Sequence, residues 1–236
     1  GNIMFSPNTN GLKLSSSDQS EVRHQALIQA YNNTIINSGW RRDGEKGGSI
    51  YVEEMANVSV FNNLMVNSKF RAITPAYDEP GTEDCYDRDN SFIDYNFYAS
   101  GNVQSHLFFE GEYEDDGEML QYSGVKFAYE GYAFNHEEYD IEKVDANSTI
   151  AKSASDTESL DPDFVNYDIN VDPALYEWSD SWNFQVKAGS PVLIGAYTPA
   201  DPARQPFYSV TGLSVNGKTY TSPAVQPWFG AFGTAK

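Results

Sequence analysis

A phrase repeats in this chain. Ala30-Tyr31-Asn32-Asn33-Thr34-Ile35-Ile36-Asn37-Ser38 returns as Val60-Phe61-Asn62-Asn63-Leu64-Met65-Val66-Asn67-Ser68, an offset of 30 residues. A looser echo, Ile93-Asp94-Tyr95-Asn96-Phe97-Tyr98-Ala99-Ser100, follows 33 residues later. Self-similarity at a period of about 20 to 50 residues means that one supersecondary unit is stacked on copies of itself. Val58-Ser59-Val60-Phe61 alternates apolar and polar positions, and the Asn pair then turns the chain. The segment Gln25–Ser38, with Ala26, Leu27, Ile28 and Ala30, would admit a helix by pattern alone. Its alignment with 58–68 makes both blocks strand, Asn corner, strand.

A lead-in strand precedes each block: Gly11-Leu12-Lys13-Leu14 before the first and Gly47-Gly48-Ser49-Ile50-Tyr51-Val52 before the second. Three short parallel strands per winding, each lying on its counterpart in the next, build a parallel β-helix. Asn suits the corners because it tolerates left-handed backbone angles and its amide can bond the Asn one winding away. Asn33 and Asn63 are therefore expected at equivalent bends.

The chain has 236 residues and a formal net charge of −19. Nucleic acid and anionic membrane surfaces are disfavoured partners, since both recruit basic stripes. A neutral ligand, a cationic partner or Ca²⁺ is compatible. With 16 Tyr, 14 Phe and 4 Trp, the composition suits pleated, half-buried surfaces. Cys85 is the only cysteine, so no intramolecular disulfide can form. No apolar run is long enough to cross a membrane as a helix. The chain starts at Gly1 without an initiator Met, and an upstream region is expected.

Regularity fades after Phe70. Residues 73–90 carry two Pro, a Gly and six acids and read as a long loop. Residues 105–145 read as an excursion: strands around Leu107-Phe108-Phe109 and Val125–Tyr129, with the acidic run Glu110–Glu118 as its tip. Residues 164–187 read as one more irregular turn. Pro227–Gly233 is a further C-terminal signal, and Val210–Tyr220 reads as a hairpin about Asn216-Gly217, an aromatic hairpin suited to plug the last winding. One domain, 1–236, is expected, with coils over about 11–104 and 146–199, an insertion at about 105–145 and a C-terminal cap at 200–236.

The Asn-Asn corners, the Gly-Ser-Ile-Tyr-Val lead-in, Lys187-Ala188-Gly189-Ser190-Pro191 followed by Gly195-Ala196, and the final Phe229-Gly230-Ala231-Phe232 are the telling residues. In them the chain resembles right-handed parallel β-helix proteins of the pectate-lyase-like class, secreted proteins of gut Bacteroidetes above all. The resemblance covers most of 11–71 and 160–236; residues 73–145 depart from it. It implies an all-β fold: a short right-handed β-helix of roughly four or five coils, with an acidic insertion and an aromatic cap. It also implies a bacterial protein that is extracellular, at the cell surface or periplasmic. The class holds polysaccharide lyases, glycoside hydrolases and plain binding or adhesive stalks, so the fold does not fix the activity.

A lyase must neutralise a uronate carboxylate and remove a neighbouring proton, work for a cation and a Lys, Arg or His base. Arg41 and Arg42, with Lys69 and Arg71 one winding on, are the candidates. A hydrolase needs paired carboxylates, and Glu53 is the acid nominated. Asp84, Asp87 and Asp89 are the candidates for Ca²⁺, which takes oxygen ligands; no other cofactor is suggested. His24, His106 and His136 lack zinc spacing. Sugar rings stack on aromatic faces, which nominates Tyr113, Tyr122, Tyr129, Trp178 and Trp182 as binding residues; Trp40 and Trp228 are assigned to packing. The expectation is a carbohydrate-recognising protein with a polysaccharide or oligosaccharide partner and no evident catalysis. A lyase or hydrolase in the lateral groove, or a structural stalk of a larger protein, are the alternatives.

Overall fold

Asn33 lies directly against Asn63. Its side-chain amide donates to Asn63 Oδ1 at 2.9 Å, and its backbone N–H donates to the same oxygen at 3.1 Å. These contacts come from a computed structural model that describes residues 1–15, 27–41, 48–53, 57–69, 71–75, 91–99, 101, 108–115, 118–125, 147, 149–150, 161–174, 177–200 and 212–234. The strands of the repeats are β1 (Ile3–Phe5), β2 (Leu12–Ser15), β3 (Leu27–Tyr31), β4 (Thr34–Ile36), β5 (Gly48–Glu53), β6 (Asn57–Phe61), β7 (Leu64–Val66), β8 (Arg71–Pro75), β9 (Phe92–Ile93) and β10 (Phe97–Ala99). The others are β11 (Phe108–Asp115), β12 (Glu118–Val125), β13 (Thr149–Ile150), β14 (Phe164–Asn166), β15 (Asn183–Val186), β16 (Leu213–Val215) and β17 (Lys218–Tyr220).

The repeat strands form three parallel sheets, in the orders β1-β4-β7-β10-β13, β2-β5-β8 and β3-β6-β9. Every third strand in sequence is thus a neighbour in space, and the chain is all-β with stacked parallel windings, an arrangement compatible with a parallel β-helix. The register follows the repeat: Ile35 pairs with Met65 and Ala30 with Val60, both at the 30-residue offset read from the sequence. Residues 27–36 are strand, corner and strand, not helix.

The two Asn of each corner have separate tasks. The first, Asn32 or Asn62, takes a left-handed φ of 51° or 55°. That conformation is costly for most side chains and tolerated by Asn. The second, Asn33 or Asn63, points inward and extends a ladder that runs from Asn2 through Asn33 and Asn63 to Asn96. Along it each side-chain amide donates to the Oδ1 of the next, Asn2 to Asn33, Asn33 to Asn63 and Asn63 to Asn96, and Asn96 closes it by donating to the carbonyl of Val60 at 3.1 Å. A further left-handed column follows the third sheet position, where Ser6, Asn37 and Asn67 have φ of 49°, 55° and 53°. Buried amides are tolerated here because each is hydrogen-bonded.

The sheet containing β4, β7 and β10 is buried on both faces. Alternation along a strand sends Ile35, Met65 and Tyr98 one way and Ile36, Leu64, Val66, Phe97 and Ala99 the other, and all are buried. The second set packs against Phe164, Ile169, Phe184, Val186, Val192 and Phe229 from the C-terminal third of the chain. Each fully buried aliphatic or Phe side chain contributes about 1.5–3 kcal/mol, so this outer layer is a second core.

That layer departs from the sequence reading in three ways. Residues 164–187 do not add a turn to the stack: β14 and β15 pair antiparallel with each other. The segment around Phe229 runs beside the windings and does not plug their end among the described residues. Asn32 donates to the carbonyl of Trp228 at 2.7 Å, and the Gly230 N–H donates to the carbonyl of Asn62 at 2.8 Å. The physical reason is the outward apolar row of β4, β7 and β10, which must be covered. Third, the acidic run is mostly strand, with only its end at the Asp115↔Glu118 pair that closes the hairpin. Glu110, Glu112 and Glu114 lie within β11, which pairs antiparallel with β12 from Phe108↔Val125 to Asp115↔Glu118. Their alternation with Phe109, Gly111 and Tyr113 is the period of a strand. The hairpin about Asn216-Gly217 forms as expected, with φ of 50° and 76° at its two turn residues.

Candidate functional site

The pair β14–β15 carries an aromatic cluster at its exposed end. Trp182, Phe184 and Val186 alternate along one face of the chain. Ser179 and Ser181 hold the preceding turn, their hydroxyls 2.8 Å apart, while the Trp182 N–H donates to the Ser179 carbonyl at 3.1 Å. Phe5, from the opposite end of the sequence, inserts among these rings. Its centroid is 4.9 Å from Trp182, 5.7 Å from Trp178 and 6.0 Å from Tyr167. Trp178 and Trp182 lie 5.6 Å apart at 75°, an edge-to-face arrangement.

Trp178 is 55% exposed although it rests on this cluster. Its indole Nε1 donates to the Asp180 carboxylate at 3.0 Å, which fixes the ring's orientation. Beneath it Tyr167 is buried and its hydroxyl accepts from the Asn37 amide at 2.9 Å. The cluster is thus anchored to the left-handed column of the windings, as Asn67 also donates to the Ile169 carbonyl at 2.7 Å.

Burial pushes the Tyr167 phenol up to about 12, with the Asn37 hydrogen bond pulling it down and the Asp168 carboxylate raising it. The folded form therefore holds this proton more tightly than the unfolded chain, which titrates near 10. Its stabilisation is complete below pH 10 and is lost as pH rises toward 12. Denaturant unfolding measured in steps across that window is expected to show falling stability. Tyr167→Phe should flatten the fall, and an equally steep fall in that variant would contradict the assignment.

Of the other nominated residues, Arg41, Glu53, Lys69 and Arg71 lie on the windings and Tyr113 and Tyr122 on the β11–β12 pair. Arg41 is exposed, and Lys69 is half-buried with its backbone N–H donating to the Ser38 carbonyl at 3.0 Å. Arg71 opens β8 opposite Gly48, whereas Glu53 ends β5. At a strand rise of about 3.3 Å per residue, roughly 16 Å of strand separates their backbone positions. Tyr113 pairs with Leu120 and Tyr122 with Gly111 in the β11–β12 ladder. Arg42, Tyr129, Asp84, Asp87 and Asp89 lie outside the described residues, as do His24, His106 and His136. Among the described residues no three His, Cys, Asp or Glu gather as a metal site would require. Trp40 packs as expected, its Nε1 donating to the Asn67 carbonyl at 2.7 Å. A cavity of about 240 Å³ beside the first winding is lined by Asn2, Leu12, Leu14, Gln29, Ala30 and Asn33, none of them a nominated residue.

Of the aromatics nominated from the sequence, Trp178 and Trp182 lie in this cluster, which also draws on Phe5, Tyr167, Phe184 and Asp180, residues the sequence did not nominate. The alternation Trp182-x-Phe184-x-Val186 was the available signal for a strand face. Nothing local could have placed Phe5 there. Fold and site together define an all-β protein of stacked parallel strands with an exposed tryptophan on an aromatic base. No family model, curated protein or solved structure matches the chain. Among the described residues no helix is long and apolar enough to cross a membrane.

Proposed function

We propose that this is a right-handed parallel β-helix protein of the pectate-lyase-like class that recognises a polysaccharide at the bacterial cell surface, in the periplasm or outside the cell. Support for the hand comes from the near-universal right-handedness of crossovers between parallel strands of one sheet. Support for the class comes from the Asn corners and the Gly-Ser-Pro block. The observation that carries the binding function is Trp178: a large apolar ring, more than half exposed, oriented by Asp180 and held on buried aromatics. Stacking on a sugar ring is the use that such a surface fits. Binding is the reading retained, because an exposed aromatic ring is the feature that the described residues offer a ligand.

A glycan array, paired with assays for new reducing ends and unsaturated products, tests it. The expected result is glycan binding without products, weakened about 10-fold in Trp178→Ala. That variant should lose no more than about 1–2 kcal/mol of stability, as the ring is only partly buried. Products would establish a lyase or hydrolase instead. Neither binding nor products would leave a structural stalk.

A further inference from the structure

Building on the carbohydrate reading above, we propose that the Trp178 face takes glycans that carry free ammonium groups, polymers of deacetylated amino sugars, in preference to neutral or uronate glycans. The segment 161–186 that builds the site contains six acids (Asp161, Asp163, Asp168, Asp172, Glu177 and Asp180) and no Lys, Arg or His. Asp168, Asp172, Glu177 and Asp180 are all exposed. A uronate carboxylate approaching the indole meets this like charge, whereas an ammonium group is attracted to it.

The indole itself adds to the preference. Tryptophan has the most favourable aromatic face for a cation. The Asp180 carboxylate, accepting from Nε1 at 3.0 Å, pushes electron density into the ring and strengthens that face. The size of the patch favours a sugar over a protein. Val165, 38% exposed, is the only other large apolar side chain of the 161–186 segment that is exposed among the described residues. A stable protein interface needs about 800 Å² from each partner, far more than one indole and one valine offer. One sugar ring covers one indole face.

The test is calorimetric titration of the full chain with four probes: an oligomer of glucosamine, the same oligomer fully N-acetylated, an oligomer of galacturonate, and oligolysine. Because the whole chain attracts polycations, Trp178→Ala and Asp180→Asn are titrated in parallel. The asparagine can still accept the indole hydrogen bond without the charge. The glucosamine oligomer is expected to bind roughly 3- to 5-fold tighter than its N-acetylated form, and galacturonate not to bind. Asp180→Asn should narrow that preference, and Trp178→Ala should abolish binding of both. Equal or tighter binding of the N-acetylated or galacturonate probe, still lost in Trp178→Ala, would overturn the ligand class and leave the platform standing. Binding indifferent to Trp178→Ala, or no binding of any probe, would overturn the platform with it. Oligolysine binding through Trp178 in place of every sugar would overturn the glycan as occupant.

Discussion

Asn63→Ala is expected to cost about 3–5 kcal/mol of unfolding free energy. Asn63 sits at the centre of the ladder and is fully buried. Its Oδ1 accepts from the backbone and side chain of Asn33, and its amide donates to the Ala30 carbonyl at 2.9 Å and to Asn96 Oδ1 at 3.0 Å. Truncation leaves those partners buried without their bonds, and water is not at hand to replace them. The first rung provides the internal comparison. Asn2 is exposed and donates only to Asn33 Oδ1, so Asn2→Ala should cost about 1 kcal/mol. Denaturant unfolding of the two variants measures the gap. An Asn63→Ala loss no larger than that of Asn2→Ala would mean that the ladder does not hold the windings together.

Phe229→Ala is expected to cost a similar amount, about 3–5 kcal/mol, although only seven residues follow it in this sequence. Terminal segments are usually tolerant of change. This one is not expected to be, because Phe229 has no exposed surface, meets Phe97 at 5.5 Å between ring centroids, and packs in the layer that covers β4, β7 and β10. Next to it, Gly230 has a φ of 80°, and a Cβ there would come within 2.6 Å of Thr34 Oγ1 and 3.0 Å of Leu64 Cβ. The segment therefore fits closely against two windings at once. Thermal or denaturant unfolding reads the loss. A cost under about 1 kcal/mol would show that the outer apolar row is stable without its cover.

Much of the stack was legible because its rule is local and repeated. The 30-residue echo placed Asn33 against Asn63, and alternation in Val58–Phe61 identified strand where Gln25–Ser38 alone was ambiguous. The different tasks of adjacent Asn residues were not legible, since Asn32 and Asn33 are chemically identical and differ only in backbone angle and direction. In the third winding Tyr95 takes the left-handed position of Asn32 and Asn62, with φ of 53°, and its ring meets Tyr197 at 4.9 Å. The echo is weaker there because an aromatic contact has replaced an amide clamp. The C-terminal layer was misread for a related reason. Its apolar docking is aligned by single amides reaching across 130 residues, from Asn37 to Tyr167, and 135 residues, from Asn62 to Tyr197. Periodicity carries no trace of such pairings. In the candidate site, composition pointed to Trp178 and Trp182, but the base that exposes one and half-buries the other draws on Phe5 and on that same distant amide.

Cysteine cross-linking tests the stacking of the windings most directly. Lys13 and Tyr51 are in-register neighbours on β2 and β5, and adjacent strands lie about 4.8 Å apart, within the span of a disulfide. Mild oxidation of a Lys13→Cys, Tyr51→Cys, Cys85→Ser variant is expected to give an intramolecular disulfide in the folded monomer, seen by mass spectrometry as a loss of two hydrogens. A variant that folds yet stays reduced, or that links only between molecules, would contradict the stacking.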